Sequence, residues 1–371
     1  MVKNFLFVGA IFPPDIGGPA TFLEEFSAWT ALKGDFVSVI ATGNANSYSR
    51  INKNLEIKII KRGILPIRII RFILAIRKKI RTTDYILSVG AFFETYVANQ
   101  NISLPLTLKI PGDVVWERAK NNGDTTLDIV EFQNSKYRLK YQLLHKMQCK
   151  ALQSANNVIT PSRQLYEICA NWGINKNKMK LIPNSVNRIF VENFQGVTKK
   201  EYDVLTVCRL TKWKGVDQVI NACAKLNRKL LVVGDGPEKN TLKELAQSLN
   251  SDVTFIDRVE IYDMPLIYLK SRIFVLNSEY EGLPHAVIEA RQMKLPTISR
   301  LGTGAAEVIT SGTSGLLTDG TLVDLVQKIE CLFDNEDYAN FLAENGYQDN
   351  LKRFNQDINF QKVYDTIIKS G

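Results

Sequence analysis

Glu281 and Glu289 stand eight residues apart in EYEGLPHAVIEA (279–290), with a Gly-Leu-Pro turn between them. The preceding RIFVLNS (272–278) is a short apolar run that reads as a buried strand. Pro284 suits the first turn of a helix, where its missing N–H costs nothing. Ala286, Val287, Ala290 and Met293 then keep a helical spacing. Glu281 is therefore placed on a loop, and Glu289 about one and a half turns into the helix. Both lie near the carboxyl end of a strand, where open α/β sheets bind ligands. A carboxylate early in such a helix can accept hydrogen bonds from vicinal hydroxyls, which suits Glu289. Glu281 could meet a second hydroxylated group. The ordinary alternative is a solvent-facing helix residue and a cap-region anion favoured by the helix dipole.

Three further stretches carry polar groups at strand ends. In VCRLTKWKG (207–215), Arg209 and Lys214 stand five residues apart ahead of a helix. Arg binds phosphate oxygens as a fork and Lys as a point charge, so the pair suits a diphosphate; two solvated surface cations is the competing reading. In FPPDIGGPATF (12–22), Gly17 and Gly18 let the backbone approach a ligand at a helix N-terminus, a ready anion site. The same turn could simply reverse the chain. In LKIPGDVVWER (108–118), Asp113 could polarise an acceptor hydroxyl and Trp116 offer an apolar face to a sugar or lipid. Alternatively Asp113 caps a helix and Trp116 sits in the core.

The elements that must hold these residues alternate between strand-like and helix-like runs, which predicts parallel sheets covered by helices. In the first half, strands are expected at 3–11, 36–42, 55–61, 84–90, 104–110 and 157–160. Helices are expected near 20–33, 66–81, 134–155 and 162–172. The second half restarts with strands at 203–210, 229–236, 252–257, 272–278 and 296–301, and ends with helices near 321–333 and 336–352. The stretch 182–203 breaks the rhythm and reads as a linker. Two doubly wound domains facing across a cleft follow, with boundaries at 1–187 and 188–352 and a terminal helix in 353–371.

Charge divides the same way. Residues 1–187 hold 25 Lys+Arg against 13 Asp+Glu, a balance of +12, and residues 188–371 hold 22 against 25, a balance of −3, together the net +9 of the chain. The basic half should face something anionic. Its densest part, IKIIKRGILPIRIIRFILAIRKKIR (57–81), carries nine Lys or Arg and no acid. At about 100° per residue, Arg68, Arg71, Lys78 and Lys79 share one arc, and Ile69, Ile73, Ile76 and Ile80 another. A basic amphipathic helix of this kind reads as a membrane-surface contact, with the isoleucines in the core and the cations on anionic head groups. The cations sit among isoleucines rather than interleaved aromatics, which argues against nucleic acid. The five cysteines are scattered and never form C-x-x-C, which argues for a reducing compartment and against disulfides and structural zinc. With two histidines and no convincing DxD stretch, no metal is expected. No apolar run is long enough to span a bilayer, and the first residues read as a strand rather than a signal peptide. A cytoplasmic location, peripheral on the membrane, is expected.

Taken in order, these motifs resemble the family-4 (group 1) retaining glycosyltransferases of the GT-B fold. EGLPHAVIEA is similar to that family's E-x7-E signature, CRLTKWKG to its diphosphate motif, VVGDGPE (232–238) to its GxGP turn, and PPDIGGPAT to its N-terminal glycine loop. GDVVWER resembles a subgroup with a GDxxWE motif associated with bacterial polysaccharide or lipopolysaccharide assembly. The resemblance implies that Arg209 and Lys214 hold a nucleotide diphosphate, that Glu289 binds the ribose, and that Glu281 contacts the donor sugar. Gly282, Leu283, Pro284 and His285 would line the donor site, Gly17 and Gly18 would close on the diphosphate, and Asp113 would serve the acceptor side. It implies a hexose moved from a UDP- or GDP-linked donor to a glycan or lipid-linked acceptor, with no cofactor. Two alternatives remain open, a sugar-nucleotide epimerase of the same fold and a non-catalytic basic protein of the membrane surface. Ser185 stands where the family usually has glycine, Asp257 where a glycine is common, and no histidine occupies the acceptor side.

Overall fold

The structure, a computed structural model, describes residues 2–15, 17–191 and 199–370. The chain divides into two compact units. The first comprises Met1–Val115, Ser135–Ile182 and Asp357–Gly371, and the second Trp116–Asn134 and Pro183–Gln356. The sequence reading drew boundaries after 187 and 352; the units divide after Ile182 and Gln356, and the segment 116–134 joins the second unit. Part of the expected linker, 192–198, lies outside the described residues.

The first unit is built on an eight-stranded sheet in the order β3-β4-β2-β1-β5-β6-β7-β8. Its strands are β1 (Asn4–Gly9), β2 (Phe36–Gly43), β3 (Ser47–Asn52), β4 (Leu55–Lys61), β5 (Tyr85–Val89), β6 (Leu106–Lys109), β7 (Asn157–Thr160) and β8 (Met179–Leu181). All neighbours run parallel except β3, which pairs antiparallel to β4 at the edge. The helices of this unit are α1 (Gly18–Leu32), α2 (Leu65–Ile80), α3 (Phe92–Asn99), α6 (Leu139–Ser154), α7 (Arg163–Asn171) and α14 (Gln356–Ile368). The strands β1, β5 and β6 are buried almost throughout, covered on both faces as central parallel strands are. Phe22 and Phe26 of α1 meet Phe360 of α14 edge-on at 5.7 and 5.2 Å, so the last helix completes this core. Trp29 donates to Asp357, and the Tyr364 hydroxyl donates to the buried Asp35 at 2.6 Å.

The second unit holds a six-stranded parallel sheet in the order β11-β10-β9-β12-β13-β14. These strands are β9 (Tyr202–Val207), β10 (Leu230–Val233), β11 (Val253–Ile256), β12 (Ser271–Leu276), β13 (Thr297–Arg300) and β14 (Leu316–Thr318). The helices are α5 (Ile129–Gln133), α8 (Val216–Lys225), α9 (Lys239–Ser248), α10 (Met264–Leu269), α11 (His285–Gln292), α12 (Leu322–Asp334) and α13 (Glu336–Arg353). Alternate residues of β9, β10 and β12 feed two separate cores, one on each face of the sheet. The remaining helix, α4 (Val114–Asn121), begins on the last two residues of the first unit's leading segment and continues into the second. Each unit is therefore Rossmann-like, with its ligand-bearing loops at the carboxyl ends of parallel strands.

Candidate active site

The strongest polar constellation lies in the second unit, on the loops that follow β9 and β12. Lys214 closes a 3-10 turn of residues 212–214, and its Nζ donates to Glu281 Oε1 at 2.6 Å with both side chains largely buried. Two features bring the loops together. Gly215 adopts φ +63, a left-handed conformation that favours glycine, and a Cβ there would meet the Asn277 carbonyl oxygen at 2.5 Å. The Glu279 amide donates to the Trp213 carbonyl at 2.8 Å, and the Gly304 amide to the Glu281 carbonyl at 2.8 Å. A lysine carries three N–H donors. With one on Glu281, two remain for an anionic ligand. Arg209, at the end of β9, is exposed.

α11 begins at the same place. Leu283 and Pro284 are buried, His285 opens the helix, and Asn184 donates to the Leu283 carbonyl at 2.8 Å. Glu289, partly buried on this helix, accepts from the Tyr268 hydroxyl at 2.8 Å through Oε2. Burial pushes its carboxyl up to about 7, against the opposing pull of the Tyr268 hydrogen bond. The structure thus gathers Lys214, Glu281, Gly282, Leu283, Pro284, His285 and Glu289 around the first turns of one helix.

Sequence reasoning missed what supports this arrangement. Trp116 is fully buried in the second unit, with its ring 5.5 Å from Trp213 and 5.1 Å from Tyr280, both edge-on. Its indole N–H donates to the Leu127 carbonyl at 3.1 Å. From the same helix Asn121 accepts from Trp213 Nε1 at 3.0 Å, and Lys120 pairs with Glu279 at 2.7 Å. α4 therefore grips both loops of the Lys214–Glu281 pair. Of the two readings of Trp116, packing in the core is the one observed; it offers no face to a sugar or lipid. The available signal was the aromatic residues in KWKG and SEYEG, two rings on loops with no strand or helix of their own to bury them.

The first unit carries the remaining candidates. Gly17, at φ +149, precedes α1, and Gly18 begins it; Ile16, just before them, lies outside the described residues. Asp113 is only 1% exposed, and its Oδ1 accepts from the Val115 amide at 2.9 Å, the contact of a residue capping α4. Burial, aided by the Asp113 charge, raises Tyr137 to about 12 and the Cys149 thiol to about 11, while burial lowers His145 against that charge. Another group went unread. Lys109, at the end of β6, is buried with Nζ 4.7 Å from the centre of the Phe22 ring, and burial drives it down to about 7.

The face of α2 differs from the sequence expectation. Arg71 and Lys78 are exposed and Arg68 partly so, but Lys79 is engaged by Glu56 at 2.6 Å and lies over the Phe36 ring. The core side is Phe72, Ile76 and Ile80, so only part of the expected isoleucine stripe is buried. Ile64, Leu65, Ile67, Ile70 and Leu74 instead face solvent at 47–73% exposure, beside the free cations. At about 100° per residue Ile67, Ile70 and Leu74 fall on the side of Arg71 and Lys78, opposite Phe72, Ile76 and Ile80, so packing that second face on the sheet leaves them in solvent.

Comparison with known proteins follows the same geography. Residues 188–349, all within the second unit, match the model of the glycosyl transferases group 1 family. The chain is 27% identical over 257 residues to the capsular polysaccharide biosynthesis glycosyltransferase CapM of Staphylococcus aureus, covering 62% of this chain and 67% of that protein. It is 33% identical over 153 residues to an uncharacterized glycosyltransferase of Methanocaldococcus jannaschii, covering 36% of this chain but only 37% of that protein. Sucrose-phosphate synthase from Thermosynechococcus elongatus has a similar structure, with a TM-score of 0.83 at 16% identity over 98% of each chain. HepE of Anabaena, in complex with UDP and glucose, gives 0.76 at 18% identity over 98% of this chain and 99% of its own. The fold is GT-B. With its family domain and these relatives, the chain is a transferase of the glycosyltransferase type.

Proposed function

We propose that the protein is a retaining glycosyltransferase that moves a hexose from a UDP- or GDP-linked donor to a hydroxyl of a glycan or lipid-linked acceptor. The Lys214–Glu281 pair beside Glu289 is the observation that carries this reading. As the sugar leaves, negative charge builds on the diphosphate. The two uncommitted N–H groups of Lys214, together with Arg209, are the cations that would meet it in the second unit. Glu281 holds Lys214 with one oxygen and keeps the other for a sugar hydroxyl. Glu289 receives the ribose hydroxyls, and the Gly17–Gly18 turn supplies amides to the diphosphate. In this mechanism the acceptor attacks on the face the diphosphate is leaving, and the departing phosphate takes the acceptor proton. No carboxylate nucleophile is needed. CapM, a capsular polysaccharide enzyme, and the fold partner HepE, seen with UDP and glucose, point to bacterial surface-polysaccharide or lipopolysaccharide assembly and to a nucleotide-sugar donor.

The test is a thermal-shift panel of UDP-, GDP-, ADP- and dTDP-sugars. A ligand at a hundred times its Kd adds about 2.7 kcal/mol of stability. A shift with one nucleotide, lost in Glu289→Ala and Arg209→Ala, supports the reading. Conversion of the donor to another sugar nucleotide without an acceptor would favour an epimerase.

The acceptor would be met at an anionic membrane surface. Exposed apolar residues interleaved with Arg71 and Lys78 on α2 favour this, since apolar side chains can enter the interface while cations meet lipid phosphates. Flotation with phosphatidylglycerol vesicles, but not with neutral ones, is the expected result. Equal recovery with both removes the claim.

A further inference from the structure

Glu289 is held by a residue that lies outside every motif discussed so far. Tyr268 is on α10, and its ring is fully buried against Phe190 at 5.7 Å and Phe274 at 5.8 Å. So enclosed, the ring has little freedom to turn. Its hydroxyl lies 2.8 Å from Glu289 Oε2 and 3.3 Å from the Ala286 carbonyl oxygen, spanning one turn of α11. A phenol has one proton to donate, so the shorter contact carries the bond. Among the described residues Glu289 has no other side-chain partner, which leaves Oε1 uncommitted.

We infer that Tyr268 is a positioning residue for donor recognition, fixing Oε2 of Glu289 so that Oε1 is the oxygen presented to the hydroxyls of the donor. This rests on the reading of Glu289 as the donor's hydroxyl-binding carboxylate. The bond has a second effect. A hydrogen bond to the ionised carboxylate favours ionisation, and burial opposes it. Charged groups on the surrounding elements are directed elsewhere. Arg291 of α11 donates to Asp349 of α13 at 2.7 Å and to the Val308 carbonyl, and Arg353 shares that aspartate at 3.0 Å. Arg272 of β12 lies over the Phe333 ring, Arg300 of β13 lies beside Gly320, and Arg188 stands on the 188–191 turn. None of these is a cause of the Glu289 shift; burial lifts its carboxyl to about 7, and the Tyr268 hydrogen bond is what opposes that rise.

The experiment is isothermal titration of the full chain with UDP and with GDP from pH 5.5 to 8.5, for the wild type, Tyr268→Phe and Glu289→Gln. For whichever nucleotide binds, Tyr268→Phe should weaken affinity about five- to tenfold at pH 7. It should also move the acidic fall in affinity to higher pH, because the unassisted carboxylate protonates sooner. Glu289→Gln should weaken binding and abolish that fall. A Tyr268→Phe protein with lowered Tm but an unmoved pH profile would overturn the inference and leave Tyr268 as core packing. A Glu289→Gln protein with wild-type affinity, or a wild type that binds neither nucleotide, would overturn the donor reading of Glu289 and the inference with it.

Discussion

The loops around Lys214 and the helix α2 are both rich in cations, and they treat them in opposite ways. Lys214 is largely buried, bonded to Glu281 and flanked by Trp213, whose ring centre lies 4.3 Å from its Nζ. On α2, Arg71 and Lys78 stand in solvent among exposed Ile67, Ile70 and Leu74. A charge fixed by protein partners can discriminate one ligand geometry. Charges left free beside apolar side chains suit an extended surface with no fixed geometry. The two regions therefore differ in how much of their organisation is done in advance.

The largest expected effect breaks the prearranged side. Lys214→Ala removes the cation proposed to meet the leaving diphosphate and strands Glu281, and kcat/KM for the donor should fall about 10²- to 10³-fold. A variant within threefold of wild type would mean that the pair is structural. Next is the support beneath it. Trp116→Phe gives up the hydrogen bond to Leu127 and part of the contact with Trp213 and Tyr280, on the order of 2 kcal/mol in denaturant unfolding. An unchanged midpoint would show that α4 is not what organises the loops.

Glu289→Gln sharpens the contrast through pH. Burial lifts this carboxyl from 4.5 to about 7 in the folded chain. Between those values the unfolded chain releases a proton that the folded chain keeps, so stability falls as pH rises and stays lower above 7. The amide removes that penalty and should stabilise the protein by roughly 1–3 kcal/mol at pH 8, with little difference near pH 4. Calorimetric Tm at the two pH values decides it. A donor site that stores such strain would be the opposite of α2, where nothing is buried at a cost. The smallest effect tests that helix. Ile70→Glu should reduce binding to anionic vesicles about tenfold and leave nucleotide binding alone. Vesicle binding that survives the change but vanishes in high salt would assign the contact to Arg71 and Lys78 only.

Much of this was legible in the residues. Strands such as 55–61 and 157–160 were placed to the residue, because short runs of β-branched residues, alternating with charge in LEIKIIK, have few other fates. β3, SYSRIN, was not seen. It is exposed along its whole length and owes its existence to pairing with β4, which no local pattern records. β8 and β14, three residues each, are too short to show a period. α3 also went unread, being two turns long with no side-chain cap, and α4 was raised only as the alternative in which Asp113 caps a helix. Glu281, Lys214 and Glu289 were found because loop carboxylates and cations at strand ends have chemical meaning by type and spacing. Tyr268 was not singled out, and Trp116 was read as core only as an alternative and without its partners Trp213 and Tyr280, since a buried aromatic resembles any other core residue until its contacts are located. On α2 the expected stripe has Ile76 and Ile80 buried and Ile69 and Ile73 partly so; the Lys79–Glu56 pair and the apolar residues among the exposed cations went unread, because spacing identifies a stripe and not what its neighbours touch.

The last helix gives the chain an order of assembly. Phe360, Val363, Tyr364 and Ile367 of α14 belong to the core that contains Phe5, Phe7, Phe22 and Phe26. During synthesis those early aromatics emerge from the ribosome long before their partners exist, and the whole second unit is made in between. A stalled or truncated nascent chain would present Phe22, Phe26 and Trp29 as an uncovered aromatic face, the kind of surface chaperones and quality-control proteases recognise. Translation must therefore reach α14 before the domain begun first can be finished.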